Sequence, residues 1–188
     1  PITSLINIFS NSDIASVPWA TEAILTLKDM GVINGRTNTE FAPNDNVTRE
    51  EFVKMIVLLA DITVEHGDVT FDDVSESDWF YTAVKAAKQK NILNGISEYS
   101  FGVGQKITRQ DMAVITRNVL TYFNVTLSKK DITFTDNDQI AEYALDSVSR
   151  LVAKGIINGY DDNSFKPKGF ATRAEAAKML YGILPLIK

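Results

Sequence analysis

The sequence contains no cysteine and only one histidine among its 188 residues. The absence of cysteine excludes disulfide bonds, thiolate metal sites and a cysteine nucleophile. It does not decide between the inside and the outside of a cell, because disulfides are common outside cells but not obligatory. The one histidine, His66, lies in a polar connection. The chain therefore has neither a Ser/His/Asp arrangement nor a histidine metal cluster, and we expect no metal site.

The sequence also lacks an excess of positive charge and any long apolar run. Its 19 Lys and Arg residues are outnumbered by 24 Asp and Glu residues, which gives a net charge of −5. Such a charge disfavours binding to a phosphate backbone, so we expect no nucleic-acid partner. The longest apolar run, from Met55 to Ala60, is far shorter than the about 18 residues of a membrane-spanning helix. We therefore expect no membrane insertion.

The remaining composition is typical of a packed domain, with 45% hydrophobic and 10% aromatic residues. The length corresponds to one domain, or to several small units that share one core. The first residues lack the basic, apolar and small-residue pattern of a signal peptide. If the protein is secreted, we expect this sequence to be its processed form.

An internal repeat organises the sequence. Two apolar residues followed by Asn-Gly occur three times, with the glycines at Gly35, Gly95 and Gly159. A Thr-Arg pair follows each glycine at the same distance, with the arginines at Arg49, Arg109 and Arg173. An aromatic residue precedes each glycine, at Trp19, Trp79 and Tyr143. A phenylalanine precedes each arginine, at Phe41, Phe101 and Phe165. Anchors repeated in one register predict a repeat architecture.

Each repeat predicts a helix, a loop and a second helix. In the first unit an apolar pattern at helical spacing runs from about Trp19 to Met30, and Gly31 is suited to a left-handed turn at its end. We expect units at 1–62, 63–124 and 125–188 that fold as one cooperative domain, with starts near Phe9, Phe71 and Phe134. Two short helices cannot enclose a core alone. The three units should therefore form one mostly α-helical body with approximate threefold symmetry.

The second helix of each unit begins with a recognisable cap. Thr48 with Glu51 predicts a capping box, in which each residue bonds a backbone N–H near the other. Thr172 with Glu175 matches it, and Thr108 with Asp111 matches it less well because Asp is shorter. Arginine directly after the cap is unexpected, since a cation at the positive end of a helix costs about 0.3–1 kcal/mol. Three such arginines require an explanation.

Two explanations are open from the residues alone. A helix N-terminus with free N–H groups binds anions, and a guanidinium beside it adds a fork suited to a carboxylate or phosphate. Alternatively, each arginine pairs with an acidic residue of a neighbouring unit. The candidates for such a pair are Asp13, Asp73 and Asp136. The three repeated aromatic residues face a similar choice between core packing and a flat platform for a sugar ring.

At these residues the chain resembles the S-layer homology domain family, as a set of three repeats from about Phe9 to Leu184. The resemblance rests on Phe71-Asp72-Asp73-Val74 followed by Trp79, on the Asn-Gly turns, on Phe41-Ala42-Pro43 and Phe165-Lys166-Pro167, and on Thr-Arg-x-Glu ahead of an apolar helix. The family implies a three-pronged helical fold in which the first helices form a central three-helix bundle. Grooves between the units would hold the ligand.

The resemblance also implies a function. The ligand would be the secondary polymer attached to peptidoglycan in many Gram-positive bacteria, which often ends in pyruvate-ketal N-acetylmannosamine. The family implies an extracellular anchor of the cell wall that is not an enzyme and needs no cofactor. Arg49, Arg109 and Arg173 would meet the pyruvyl carboxylate or lie beside it. The other implied groove residues are Asp13, Asp73, Asp136, Trp19, Trp79, Tyr143, Gly35, Gly95 and Gly159.

The units depart from one another, so we expect unequal grooves. The third unit has Tyr143 where the others have tryptophan, and the second has Asn91 where the others have glycine. A different function is also open, a structural scaffold that assembles with other surface-layer copies, or a module that binds peptidoglycan itself. If the arginines only pair internally, replacing all three by alanine should lower the melting temperature. In either case we expect a targeting module of a longer exported protein.

Overall fold

A computed structural model describes residues 13–67 and 71–188, and the predicted unit start at Phe9 lies outside this part. The described residues form six α-helices and no β-strand, which confirms the predicted mostly helical class. The helices are α1 (Thr21–Asp29), α2 (Arg49–Ala60), α3 (Tyr81–Gln89), α4 (Arg109–Tyr122), α5 (Glu142–Ala153) and α6 (Arg173–Ile187). Each unit thus contains a first helix, a loop and a second helix.

The first helices begin later than predicted in the first unit. Trp19 lies in a 3-10 turn, Pro18–Ala20, that precedes α1. The ends of the first helices follow the prediction. Gly31 and Gly155 adopt left-handed φ angles of 70° and 73°, and Asn91 adopts the same conformation at 55°.

The second helices begin at the predicted caps. Thr48 and Thr172 are N-caps with complete capping boxes, in which Glu51 and Glu175 return to the backbone of the threonine. In the second unit the Thr108 hydroxyl donates to the Asp111 carboxylate at 2.6 Å, so the shorter side chain bonds the hydroxyl where glutamate bonds the backbone. In each case the first helical residue is the predicted arginine.

The second helices form the centre of the molecule. Helices α2, α4 and α6 pack against one another, and each first helix lies on the outside, α1 on α6, α3 on α2 and α5 on α4. The expectation of a central bundle made of first helices is therefore wrong. The physical reason is the extent of the apolar surface. Helix α2 buries Met55, Phe52, Val53 and Val57, which together cover more than half of its circumference, whereas a first helix buries one stripe.

The segments before the second helices join the three units in a cycle. The Val47 N–H donates to the Ala171 carbonyl at 3.0 Å, the Ala171 N–H to the Ile107 carbonyl at 3.0 Å, and the Ile107 N–H to the Val47 carbonyl at 3.1 Å. All three side chains are fully buried. The last unit is therefore bonded to the first as directly as neighbouring units are bonded to each other.

Candidate functional site

The three arginines lie at the boundaries between units. Each arginine side chain is buried. Each donates a hydrogen bond from Nε to the backbone carbonyl of the repeated phenylalanine in the next unit of the cycle. The bonds are Arg49 to Phe101 (3.0 Å), Arg109 to Phe165 (2.8 Å) and Arg173 to Phe41 (3.0 Å). Each guanidinium also lies over the ring of the same phenylalanine, at 4.6–5.3 Å from its centroid. The arginines therefore bind units together.

The first N–H groups of the second helices are also used between units. The backbone N–H of each arginine donates to a loop carbonyl of the next unit at 2.9 Å. These carbonyls belong to Gln105, Gly169 and Asp45. The N–H group of the first residue in each second helix is therefore bonded within the fold and is not free to bind an anion. The carbonyl dipoles also explain why a cation is tolerated at the positive end of each helix.

The predicted aspartates hold the same phenylalanines from the other side. Each carboxylate accepts the backbone N–H of the phenylalanine in its own unit. The bonds are Phe41 to Asp13 (2.6 Å), Phe101 to Asp73 (2.7 Å) and Phe165 to Asp136 (2.8 Å). Within the described chain no direct ion pair joins an arginine of the repeat to these aspartates. They meet instead through one phenylalanine backbone, so the pairing with these three aspartates does not occur. An ion pair with a neighbouring unit is formed only at Arg109, with Glu175, among the three arginines in the part of the chain that the structure describes.

Asp73 has the most complete set of donors. Burial opposes its ionisation, but the N–H groups of Phe101, Val103 and Gly102 and the hydroxyl of Ser100 lower its pKa to about 2. The carboxylate is therefore charged and fully engaged by its own loop at neutral pH. Neither Asp73 nor Asp136 lines the two grooves described next.

The first groove, which we call the Arg49 groove, has a cavity volume of about 520 Å³. It is lined by the Arg49 guanidinium, the Asn94-Gly95-Ile96 loop of the second unit, Asp111 and Asn118 on α4, and Tyr143 of the third unit. Arg49 donates from Nη2 to the Asn94 carbonyl at 3.2 Å.

Arg49 is a desolvated cation. Burial lowers the pKa of Arg49 from its ordinary value, although the charges of Asp111 and other groups oppose this shift. No described carboxylate lies within ion-pair distance of its guanidinium. Across the groove, burial and donation to Asp111 raise the pKa of Tyr143 to about 12. The groove thus offers a buried positive charge beside a neutral aromatic wall.

The second groove, the Arg109 groove, has a cavity volume of about 440 Å³. Arg109 donates to the Glu175 carboxylate at 2.6 Å and lies 4.6 Å from the centroid of the Tyr160 ring. Burial and donation to Glu175 raise the pKa of Tyr160 to about 12. Lys178 lines the groove and forms no ion pair with a residue of the described part. Trp19 of the first unit closes the opposite wall.

The third boundary, the Arg173 boundary, is more occupied by internal contacts. Arg173 donates from Nη2 to the Asn34 carbonyl at 2.5 Å, and Arg36 pairs with Glu51. Lys54 donates to the Trp79 carbonyl at 3.2 Å, and its ammonium lies 4.7 Å from the centroid of the tryptophan ring. The positively charged groups beside this boundary are therefore already bound to the protein. The three boundaries are unequal, as the departures between units predicted.

The boundaries share one plan that the sequence left open. Each groove takes its arginine from one unit, its loop and second helix from the next, and its aromatic wall from the third, so that Arg49 shares a groove with Tyr143 and Arg109 with Trp19. The aromatic residues are half or more exposed, at 50% for Trp19, 58% for Trp79 and 61% for Tyr143. They are surface platforms, and the alternative of core packing is excluded.

The repeated glycines allow the loops to pack closely. A Cβ atom on Gly95 would lie 2.2 Å from the Ser100 carbonyl oxygen, and one on Gly159 would lie 2.8 Å from the Phe134 ring. Any side chain at these positions would displace the groove loop. Gly35 occupies the same register next to Arg36, on the loop whose Asn34 carbonyl meets Arg173.

Two sets of groove residues were not predicted. One set follows each Asn-Gly turn and consists of Arg36, Ile96 and Tyr160. The other lies on the second helices and consists of Lys54, Val114 and Lys178. Both sets occupy equivalent positions in the three units but differ in charge. Aligning the units and looking for positions that vary would have found them, whereas a search for invariant anchors passes over them.

Comparison with known protein families matches residues 12–53, 70–113 and 133–177 to the S-layer homology domain. These three matches cover most of the chain, which belongs to the S-layer homology domain family. Domains of this family anchor surface proteins to the cell wall. In the described part of the chain, no helix combines the length and the apolar character needed to span a membrane.

Three relatives show the settings in which the domain occurs. An amylopullulanase of Thermoanaerobacterium thermosulfurigenes is 36% identical over 88% of this chain and 9% of its own length. A cellulosome-anchoring protein of Acetivibrio thermocellus is 28% identical over 74% of this chain and 32% of its own length. A surface-layer 125 kDa protein of Lysinibacillus sphaericus is 29% identical over 85% of this chain and 13% of its own length. This chain spans less than a third of the length of each of these relatives. The enzymatic activity named for the amylopullulanase is therefore a property of that whole protein.

Proposed function

We propose that this chain is a non-catalytic anchor that holds its parent protein on the cell wall by binding the secondary wall polymer. The ligand group is the pyruvylated N-acetylmannosamine end of the polymer, and it binds in the grooves between units. The observation that carries this proposal is the Arg49 groove, in which a buried cation with no described carboxylate partner lies beside an exposed aromatic ring.

The electrostatics of the Arg49 groove favour an anionic sugar. A guanidinium has five N–H donors, and the described residues accept from only two of the nitrogens of Arg49. A carboxylate entering the groove would form charge-assisted hydrogen bonds with the remaining donors and neutralise a charge that the fold has already desolvated. The Tyr143 ring supplies a flat wall for the pyranose. Because the whole protein is acidic, this attraction is local and does not rely on long-range steering.

The proposal is tested with purified cell-wall sacculi before and after chemical removal of the secondary polymer. We expect the chain to bind the native sacculi and to lose this binding when the polymer is removed. Binding that persists after removal would point to peptidoglycan itself. Absence of binding to both preparations would leave the self-assembling scaffold as the better account, which sedimentation velocity would then examine.

Groove variants make the same assay specific. Arginine variants are unsuitable, because each arginine also joins two units and its loss affects stability. Trp19→Ala and Tyr143→Ala remove exposed groove walls, and Tyr99→Ala removes a similarly exposed ring (57%) outside both grooves. Retention by native sacculi should fall for the first two variants and stay at the wild-type level for the third. Equal retention of all three variants would contradict groove binding.

A further inference from the structure

A second cavity continues the Arg109 groove along α6. It has a volume of about 480 Å³, and its walls include Gly155, Tyr181, Gly182, Leu184 and Pro185. Ile156, Asn158 and Lys178 line both cavities, so the two spaces adjoin. Together they extend from Glu175 to Pro185, which corresponds to about 15 Å of helix.

One position explains why this extension is open. Gly182 lies nine residues after Arg173, and the equivalent positions after Arg49 and Arg109 are Leu58 and Asn118. In the Arg49 groove, Asn118 donates to the Ile92 carbonyl at 2.9 Å and closes this end. Gly182 has no side chain with which to make the corresponding contact to Ile156.

A side chain at residue 182 would enter the extension without disturbing the helix. A Cβ atom there would meet Ile156 at 3.5 Å, which is ordinary van der Waals distance. Larger side chains at this position would therefore fill the cavity, as Asn118 fills the equivalent space in the Arg49 groove.

The lining of the extension suits a second sugar residue. Ile156, Leu184 and Pro185 give an apolar wall, and the Tyr181 ring contributes an aromatic surface. Lys178 lies at the junction of the two cavities. Its equivalent Lys54 is already bound to Trp79, and the equivalent in the Arg49 groove is Val114.

In the Arg109 groove, the positive charge without a carboxylate partner in the described part of the chain lies at the junction of the two cavities. Arg109 is compensated by Glu175, whereas Lys178 has no carboxylate partner in the part of the chain that the structure describes. The Lys178 ammonium can therefore donate hydrogen bonds to a negatively charged group, or to the hydroxyl groups of two adjoining sugars.

We infer that the Arg109 groove binds two consecutive sugar residues of the anionic glycan, the terminal one beside Arg109 and the next one beside Gly182. The Arg49 groove, closed by Asn118, accepts the terminal residue alone. This inference rests on the proposed function and adds a preference for chain length. It makes Gly182 the residue that determines this preference.

The test is isothermal titration calorimetry of the full chain with two synthetic probes. One is the methyl glycoside of pyruvate-ketal N-acetylmannosamine, and the other is the same residue linked to one further N-acetylhexosamine. We expect the disaccharide to bind about tenfold more tightly than the monosaccharide. Gly182→Leu and Gly182→Asn, which introduce the residues found at the equivalent positions of the other two units, should reduce this difference to less than about twofold while leaving the monosaccharide affinity unchanged.

Controls separate the possible failures. Gly182→Ala adds one methyl group and should keep most of the disaccharide preference. Far-UV circular dichroism verifies that each variant is folded. Because Gly182→Leu and Gly182→Asn test the same point, the experiment remains decisive if one of them does not fold. If neither probe binds the wild-type chain, the proposed function fails and this inference fails with it. If both probes bind equally, or if Gly182→Leu keeps the preference, the inference alone is overturned.

Discussion

Each boundary between units depends on a single phenylalanine backbone. Its N–H is held by an aspartate of its own unit, and its carbonyl is held by an arginine of the preceding unit in the cycle. At the second unit these residues are Asp73, Phe101 and Arg49. The arginine side chain therefore both lines a groove and bonds two units together. Substitution of the arginine affects stability before it reports on ligand binding.

Arg49→Ala should destabilise the protein by about 2–4 kcal/mol, since it leaves the Phe101 and Asn94 carbonyls without their donor and opens a cavity. Arg36→Ala is the matched control, because Arg36 forms a partly exposed ion pair with Glu51 and should cost less than about 1 kcal/mol. Urea unfolding followed by circular dichroism measures both. Similar losses in the two variants would show that the buried contacts are not worth more than the surface pair.

Asp73 should contribute to the acid sensitivity of the fold. Its pKa is about 2 in the folded protein and near 4 in an unfolded chain. A folded pKa below the unfolded value stabilises the protein above about pH 4, and this contribution is lost as the pH falls towards 2. Asp73→Asn should therefore be less stable than wild type at pH 7 and should lose less further stability between pH 4 and 2.

Urea midpoints at several pH values test the role of Asp73. Asp72→Asn is the control, because the Asp72 side chain is exposed and its carboxylate makes no hydrogen bond with a described residue. If the urea midpoint of Asp73→Asn falls as steeply between pH 4 and 2 as the midpoints of wild type and Asp72→Asn, the loss of stability in acid belongs to other carboxylates.

The residues of the site were predictable, but their partners were not. The threefold register singled out Arg49 and its equivalents. It also singled out Asp13, Asp73 and Asp136, which bond the backbone of their own loops and line neither groove. A direct ion pair between them, one of the two explanations that the sequence left open, does not form because the arginine Nε bonds a main-chain carbonyl. Every residue has a carbonyl, so no side-chain pattern in the sequence marks the one that accepts.

At the scale of the helices, replacing glycine by alanine should change the stability of the protein in opposite directions at two positions. Gly31 ends α1 with φ 70° and has no atom within 4 Å of the position of a Cβ. Gly31→Ala should therefore cost about 1–2 kcal/mol from backbone strain alone. Gly182 lies inside α6, so Gly182→Ala should gain up to about 1 kcal/mol of helix stability.

Chemical denaturation of the two alanine variants under one set of conditions checks this pair. Since the substitution is identical, differences in the unfolded state are small and the sign reports on local conformation. Shifts of both midpoints in the same direction would contradict the assignment of one glycine to a left-handed cap and the other to a helix interior.

The helices themselves were predicted well because caps and apolar spacing are local signals. Thr48 and Arg49 fixed the start of α2, and Gly31 fixed the end of α1. The position of each helix in the bundle was not predictable in the same way. Both helices of a unit have an apolar stripe, and which of them becomes central depends on how much of the circumference is apolar and on packing with other units. Trp19 was misplaced for a related reason, since helical spacing does not distinguish a helix from a preceding 3-10 turn.

The three units should unfold together, because the first helix of each unit lies on the second helix of another. The chain contains two tryptophans, Trp19 in the first unit and Trp79 in the second. Trp79→Phe leaves a fluorescent reporter of the first unit, and Trp19→Phe leaves a reporter of the second. Within each variant, fluorescence and circular dichroism should give the same urea midpoint. Separate midpoints for the two probes would show that the units unfold independently.

The bond from Arg173 to the Phe41 carbonyl joins residues that are 132 positions apart. A polypeptide that emerges amino-terminus first has to bring its last helix back to its first before the cycle is closed. Such long-range closure is slow compared with the formation of local turns and helices. Until its last helix is available, the growing chain therefore cannot close the cycle of bonds between the units. It acquires its final shape, and with it the grooves, only once its last segment has arrived.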